Sequence, residues 1–148
     1  MDRLPFADPA ALCAALSDRI ARVMGGTSGI LLAIFTAAVG ASVKAHAKWP
    51  AALREGVRRI QQYGGAAEGD RTMLDALVPA IAALEAGAGL AAAAASAAEG
   101  AARTASMVTA LAGRSSYVRQ DALAGVPDPG AVAVAAIFDA LARSASGR

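Results

Sequence analysis

The sequence lacks most of the side chains that enzymes commonly use for covalent or metal chemistry. It has one cysteine, Cys13, and one histidine, His46, among 148 residues. These counts exclude an intramolecular disulfide, most Cys/His zinc sites and any pair of histidines. A Ser-His-Asp triad is not indicated either, since no G-x-S-x-G elbow is present. We expect Cys13 to be a small core residue and His46, between Lys44 and Lys48, to be exposed without a role.

Aromatic residues and clustered charge are also scarce. Phe, Trp and Tyr make up 4% of the chain, and fourteen basic residues against twelve acidic ones give a net charge of +2. The densest basic patch contains Arg54, Arg58 and Arg59, at the spacing of one solvated helix face. A nucleic-acid surface would need more clustering and interleaved aromatics. We therefore expect no nucleic-acid partner.

One long uncharged run, from Val23 to Val43, raises the question of a membrane span. Its first part, Gly25 to Gly29, is small or polar, which leaves about fourteen apolar residues, a length typical of a core helix. No Trp or Tyr belt brackets the run. We expect a buried helix and no membrane association. No signal peptide precedes Pro9, so a cytoplasmic location is expected.

The residues that are abundant predict an all-α, single-domain fold. Hydrophobic residues make up 56% of the chain, and most are Ala, Leu, Val and Ile. Ala favours helices, and the β-branched residues are too scattered for a sheet. Asp8-Pro9 and Asp128-Pro129-Gly130 each read as a cap followed by a proline suited to a first helical turn. Glycines at 25–29 and 64–65 mark loops between helices.

The apolar spacing predicts where each helix lies and which face is buried. Helix 1 carries an apolar stripe of Leu12, Leu16, Ile20 and Val23, and helix 2, from about Ser28 to Ala45, is apolar all round and should be buried on most sides. Helix 3 runs from Trp49-Pro50 to the glycines after Tyr63. Helix 4 should start near Asp70, with Pro79 kinking or ending it, and helix 5 should cover about Leu90 to Leu111.

Three small or polar loops open directly onto predicted helices: "MGGTSG" at 24–29, "GDRTM" at 69–73 and "DPG" at 128–130. Helix N-termini expose unpaired N–H groups and bind phosphate oxygens readily, so three converging starts would form a nucleotide site. Each loop could equally be a simple cap. No Walker-type loop or strand-linked G-x-G-x-x-G occurs. Residues 113–127 form the longest irregular stretch, and such loops tend to be functional.

Four stretches carry a family resemblance: "MGGTSG", "YGGAAEGDRTMLDAL", "GRSSYV" and "VPDPGAVAVAAI". In this order they resemble the nucleotide-binding L subunit of dihydroxyacetone (glycerone) kinase, and the equivalent C-terminal domain of single-chain dihydroxyacetone kinase and triokinase/FMN cyclase. The resemblance covers about residues 10 to 144. It implies an eight-helix antiparallel barrel, with about six or seven helices here, that binds ATP or ADP with Mg²⁺. Dihydroxyacetone is then held on a histidine of a separate K subunit or domain.

The resemblance also implies site residues. Thr27 and Ser28 match the pair that contacts the nucleotide, and Gly64 matches the glycine ending the preceding helix. The remaining matched positions are Thr72 and Met73 beside adenine and ribose, Asp128, Pro129 and Gly130 on the far wall, and Arg114 near the phosphates as the catalytic, charge-stabilising residue. Asp70, Arg71 and Asp75 are expected to hold the loop and helix in place.

One part of the family pattern is missing. Family members begin with a helix ending in a D-G-D loop whose aspartates bind Mg²⁺, and Asp2, Asp8 and Asp18 do not reproduce that spacing. We therefore assign no metal ligand and expect residues 1–148 to be an N-terminally incomplete domain, inactive alone and prone to self-association. The alternative is a non-catalytic nucleotide-binding or regulatory module. The phosphoryl donor of the complete system, ATP or a phosphoryl-carrier protein, stays open.

Overall fold

The computed structural model describes residues 4–107, 109–110, 112, 116, 119 and 123–147. All regular secondary structure in these residues is helical, which confirms the all-α class. The chain divides into two compact units, Met1–Gly65 and Ala66–Arg148. The first contains α1 (Pro9–Val23), α2 (Gly26–Lys44) and α3 (Trp49–Gly64); the second contains α4 (Leu74–Glu85), α5 (Gly89–Arg103), a short 3₁₀ turn (Thr104–Ser106) and α6 (Pro129–Ser146).

In the first unit, α2 packs against both α1 and α3. The predicted start of α1 is confirmed, because the Asp8 carboxylate accepts hydrogen bonds from the N–H groups of Ala10 and Ala11, both at 3.0 Å. Cys13 is buried as predicted and packs in a cluster with Val39 and Ala52. Burial raises the pKa of the Cys13 thiol above its ordinary value of 9.0. This cysteine is a core residue.

Two predictions for the first unit were wrong. Val23 is 72% exposed instead of completing the buried stripe of α1, and Ile30 of α2 is 61% exposed. By length and composition α2 could cross a membrane. It was predicted to be buried on most sides, but 22% of its most apolar window is buried in the structure. The residues it does bury are mostly small: Gly29, Ala33, Val39 and Gly40. The apolar sequence of α2 thus gives close contact with α1 and α3 rather than burial on most sides.

In the second unit, α4, α5 and α6 pack against one another. Helix α4 contributes Leu74, Leu77 and Ile81 to the core, and α6 contributes Val134 and Phe138. The side of α5 that faces them is made of small residues: Ala93, Ala97, Gly100 and Ala101. A Cβ atom placed on Gly100 would lie 2.0 Å from the main-chain oxygen of Asp75. The backbones of α4 and α5 therefore touch directly at this point.

The boundaries of α4 and α5 differ from the prediction. Helix α4 begins at Leu74, four residues after Asp70, because the preceding loop is held by hydrogen bonds of its own, described below. Pro79 lies within α4 without ending it. It has no N–H to donate to the carbonyl of Asp75, the oxygen against which Gly100 packs. Helix α5 ends at Arg103, well before Leu111, and the 3₁₀ turn follows.

Candidate functional site

The start of α2 offers free main-chain donors. Its N-cap residue is Gly25, which makes no side-chain capping hydrogen bond, and its first turn contains no acidic residue. Thr27 and Ser28 in that first turn are both exposed. The unpaired N–H groups and the positive end of the helix dipole are therefore accessible to an anion.

Gly64 lies at the same end of the first unit as this helix start. It is the last residue of α3, and the left-handed cap is the next residue, Gly65, with φ of 70° and its N–H donating to the carbonyl of Gln61. A Cβ atom on Gly64 would lie 3.0 Å from a methyl group of Leu31, one turn after Thr27 in α2. Gly64 therefore lets the end of α3 approach the start of α2 closely.

The loop before α4, residues 66–73, is shaped by two carboxylates. Asp70 accepts from the N–H of Ala67, and Asp75 accepts from the N–H groups of Gly69 and Thr72, all at 2.7 Å. Asp75 is 1% exposed. The prediction that Asp70 and Asp75 hold this loop and helix in place is confirmed. As a result, Thr72 is presented by a loop whose turns are fixed by its own side chains.

The structure brings the start of α6 against this loop. A Cβ atom on Gly130 would lie 3.3 Å from Cβ of Met73 and 3.5 Å from its main-chain nitrogen. Asp128 is buried, and its Oδ2 accepts from the N–H of Ala131 at 3.0 Å. Five predicted site residues therefore form one locus in the second unit: Thr72, Met73, Asp128, Pro129 and Gly130.

The three predicted helix starts differ in what they offer to an anion. The start of α6 already holds the carboxylate of Asp128, which caps it. Helix α4 begins only at Leu74 and carries Asp75 in its first turn. Negative charge at a helix N-terminus occupies the position that a phosphate would take. Of the three, only the start of α2 offers both free donors and no acidic side chain.

Thr104 joins these segments and was not identified from the sequence. It is 0% exposed, its hydroxyl donates to the carbonyl of Ala101 at 2.6 Å, and the same oxygen accepts from the N–H of Asp128 at 2.7 Å. A threonine after an alanine-rich helix carries no pattern of its own. Its role depends on Asp128, 24 positions later, which sequence spacing cannot reveal.

Arg114 lies outside the described residues, so its position near the phosphates stays a prediction. Among the residues that the structure describes, no group of three or more His, Cys, Asp or Glu side chains could hold a metal ion. Mg²⁺ prefers several oxygen ligands with near-octahedral geometry. The described side chains therefore offer no set of ligands that fits this ion.

A family model for the DAK2 domain matches residues 1–143. The chain belongs to the DAK2 domain family. Dihydroxyacetone kinase of Citrobacter freundii is 44% identical over 146 residues, which are 98% of this chain and 26% of that protein. Human triokinase/FMN cyclase is 43% identical over 147 residues, covering 93% of this chain and 25% of that protein. This DAK2 domain therefore spans about a quarter of the length of these relatives.

Solved structures give the same relationship. The native crystal structure of the C. freundii dihydroxyacetone kinase matches with a TM-score of 0.80 at 42% identity, over 95% of this chain and 25% of that one. The structure of that kinase in complex with AMP-PNP and Mg²⁺ matches with a TM-score of 0.79 at 42% identity, over 95% of this chain and 24% of that one. The helical fold of this DAK2 domain is thus shared with the kinase, and its predicted resemblance to dihydroxyacetone kinase is confirmed.

Proposed function

We propose that this DAK2 domain is the ATP/ADP-binding domain, of the L-subunit type, of a dihydroxyacetone kinase. The observation that carries the proposal is the contact between two segments far apart in sequence, at Met73 and Gly130. The motifs assign both segments to nucleotide binding, and the segments meet beside a loop held by the carboxylates of Asp70 and Asp75. A similar solved kinase is in complex with AMP-PNP and Mg²⁺, which supports the same ligand class.

Each unit carries residues that the family motifs assign to nucleotide binding. In the second unit, Thr72 and Met73 border adenine and ribose, and the Asp128–Gly130 segment forms the opposite wall. In the first unit, the first-turn N–H groups of α2 at Thr27 and Ser28 bind phosphate oxygens. Arg114 is proposed to stabilise the charge that develops during phosphoryl transfer.

The remaining parts of the reaction belong to partners. Dihydroxyacetone is proposed to be held on a separate K subunit or domain, in the cytoplasm, and either ATP or a phosphoryl-carrier protein supplies the phosphoryl group. Mg²⁺ would neutralise the phosphate charge in the complete enzyme. The alternative, a non-catalytic nucleotide-binding or regulatory module, is favoured by the lack of a metal-binding group among the described residues.

Nucleotide binding is tested by calorimetry with ADP, with and without Mg²⁺. We expect weak binding that Mg²⁺ changes little, because free helix donors are present and a described metal group is not. Strong tightening by Mg²⁺ would contradict the metal-independent binding. No detectable ADP binding under either condition would overturn the proposed function.

A charge placed at the start of α2 locates the phosphate. Thr27→Glu adds a carboxylate to the exposed first turn, and we expect it to weaken ADP binding about tenfold through repulsion. Ala51→Glu is the matched control, since Ala51 is exposed in the first turn of α3, which also lacks a side-chain cap. It should change the affinity by less than about twofold. Equal losses in the two variants would place the phosphate elsewhere.

Adding the K subunit separates the kinase from the non-catalytic module. The isolated chain should not bind dihydroxyacetone in a ligand-observed NMR titration, and saturable binding would contradict the division of labour. In a reconstituted complex with Mg²⁺, formation of phosphorylated dihydroxyacetone from ATP or from a phosphorylated carrier identifies the donor. Tight ADP binding with no product from either donor would favour the regulatory module.

A further inference from the structure

Arg71 is the largest fully buried side chain among the described residues. It is 1% exposed, and its φ of 61° lies in the left-handed region that non-glycine residues seldom adopt. A buried guanidinium is costly unless its donors are satisfied. The burial of the charge and the left-handed backbone are both unfavourable, and they occur together at one residue in the middle of the "GDRTM" loop. This combination indicates that the position of the Arg71 side chain serves a function.

Among the described residues, the acceptors of Arg71 are main-chain carbonyls. Its Nε donates to Thr104 at 3.2 Å, and its Nη2 donates to Leu123 at 3.3 Å and to Val126. In the part of the chain that the structure describes, no carboxylate pairs with this guanidinium. The side chain thus ties the loop before α4 to the end of α5 and to the segment that leads into α6.

These bonds connect the two halves of the proposed base and ribose site. Arg71 directly precedes Thr72 and Met73. Thr104, whose carbonyl Arg71 binds, also accepts from the N–H of Asp128 through its hydroxyl. Val126, the third acceptor, lies two residues before Asp128. The hydrogen bonds from Arg71 to Thr104 and from Asp128 to Thr104 therefore link the same two segments that meet directly at Met73 and Gly130.

We propose that Arg71 is a positioning residue that sets the separation between Thr72–Met73 and Asp128–Gly130, and so determines nucleotide affinity without touching the nucleotide. An arginine in a nucleotide loop would ordinarily be taken for a phosphate ligand. Here its three carbonyl partners and its 1% exposure leave no surface for one. This inference rests on the proposed nucleotide-binding function.

The first test needs no nucleotide. In the free protein, Arg71→Met should remove amide-exchange protection at Gly125, Val126 and Asp128. Their N–H groups donate to the Ala105 carbonyl, the Leu123 carbonyl and the Thr104 hydroxyl, which are groups of, or next to, the residues that Arg71 binds. Protection in the middle of α4 and α6 should change little. Loss of protection spread evenly over the second unit would overturn the proposal, as would unchanged protection at all three amides.

The second test measures ADP affinity at a temperature where every variant is folded. Arg71→Met should weaken binding about tenfold or more, since small displacements in a binding site are costly. Arg71→Lys, which keeps a buried donor but not the fork, should fall between it and the wild type. If Arg71→Met does not fold, the same two measurements on Arg71→Lys test the proposal. We then expect weaker amide-exchange protection at the three amides and weaker ADP binding.

Two controls separate positioning from general stability. Ile81→Val removes a buried methyl group from the core of the same unit. Arg103→Met removes an exposed arginine that neighbours Thr104 and pairs with Glu68 at 3.7 Å. Both should leave ADP affinity within about twofold of the wild type. Affinity that follows melting temperature across all variants would refute the proposal, whereas absence of binding by the wild type would instead refute the proposed function.

Discussion

The two units of this DAK2 domain differ in what they bury. The four buried polar or charged side chains among the described residues, Arg71, Asp75, Thr104 and Asp128, all belong to the second unit. The buried side chains of the first unit are Cys13, Ala33, Val39, Ala52, Val57 and Ile60. Buried hydrogen-bonded groups specify one arrangement, because each loses far more when its partner is removed than it contributes when paired.

The first unit relies on close helix contact in place of polar networks. Gly40 of α2 lies so near α1 that an added Cβ would be 2.8 Å from Cβ of Cys13. One hydrogen bond also joins these helices, from the hydroxyl of Ser17 to the carbonyl of Ala33 at 2.8 Å. The candidate site residues of the first unit thus lie at an uncapped helix start, whereas those of the second unit lie on a loop whose shape is set by buried hydrogen bonds. Mutations should therefore act differently in the two units.

The largest effect is expected for Gly100→Ala in the second unit. Its Cβ would meet backbone, the Asp75 oxygen at 2.0 Å, so α4 and α5 must separate. We expect a loss of about 3 kcal/mol or more in the free energy of unfolding, measured by denaturant titration. Gly40→Ala in the first unit would place its Cβ 2.8 Å from Cβ of Cys13 and 3.3 Å from the Ala10 carbonyl oxygen. This overlap is milder and the gain in helix propensity offsets part of it, leaving a loss of about 1–2 kcal/mol.

Gly147→Ala supplies the control for both glycine variants. A Cβ there would lie 3.7 Å from the Arg143 carbonyl, which is an ordinary contact. The free energy of unfolding should change by less than about 0.5 kcal/mol. If Gly100→Ala cost no more than Gly40→Ala, the direct backbone contact that distinguishes the second unit would be contradicted.

A smaller effect is expected from a matched pair of Thr→Val variants. Thr104→Val leaves the buried N–H of Asp128 without its acceptor, which costs about 1–3 kcal/mol. Thr36→Val in α2 removes only hydroxyl bonds to the carbonyls of Leu32 and Ala33 in its own helix, and should change stability by less than about 0.5 kcal/mol. Thermal unfolding of the two variants measures the difference. Equal losses would mean that the buried network does not set the second unit apart.

The same contrast explains how much could be predicted from sequence. Helix starts with a local chemical cause were predicted, such as Asp8 before α1 and Asp128 before α6. The glycine cap after α3 was predicted for a similar reason, since a glycine such as Gly65 takes the left-handed conformation at low cost. Family motifs then selected Met73 and Gly130, which the structure places in contact.

Features that depend on distant residues were not predicted. The start of α4 was placed four residues early, because Asp75 folds back onto the N–H groups of Gly69 and Thr72 in place of a further helical turn. The exposure of Ile30 could not be read from an all-apolar helix, in which no polar face marks the outside. Thr104 was missed because its partner Asp128 is brought near only by the fold.

The smallest effect is expected at the exposed ion pairs of α3, where Glu55 accepts from Arg58 and Arg59 at 2.7 and 2.8 Å. Hydrogen bonds from Arg58 and then Arg59 lower the pKa of Glu55 from 4.5 to about 2. A carboxyl group whose pKa is lower in the folded state stabilises that state fully above pH 4.5, and the contribution disappears as the pH falls through 2. The first unit should therefore lose a little stability between these values, and Glu55→Gln should remove that dependence.

The carboxyl titration of Glu55, followed by NMR, should move toward its ordinary range in Arg58→Gln and in high salt, which screens exposed charges. Titration of Glu55 near pH 4.5 in low salt would show that these arginines do not hold it, and that polar contacts in the first unit contribute even less than the comparison with the second unit implies.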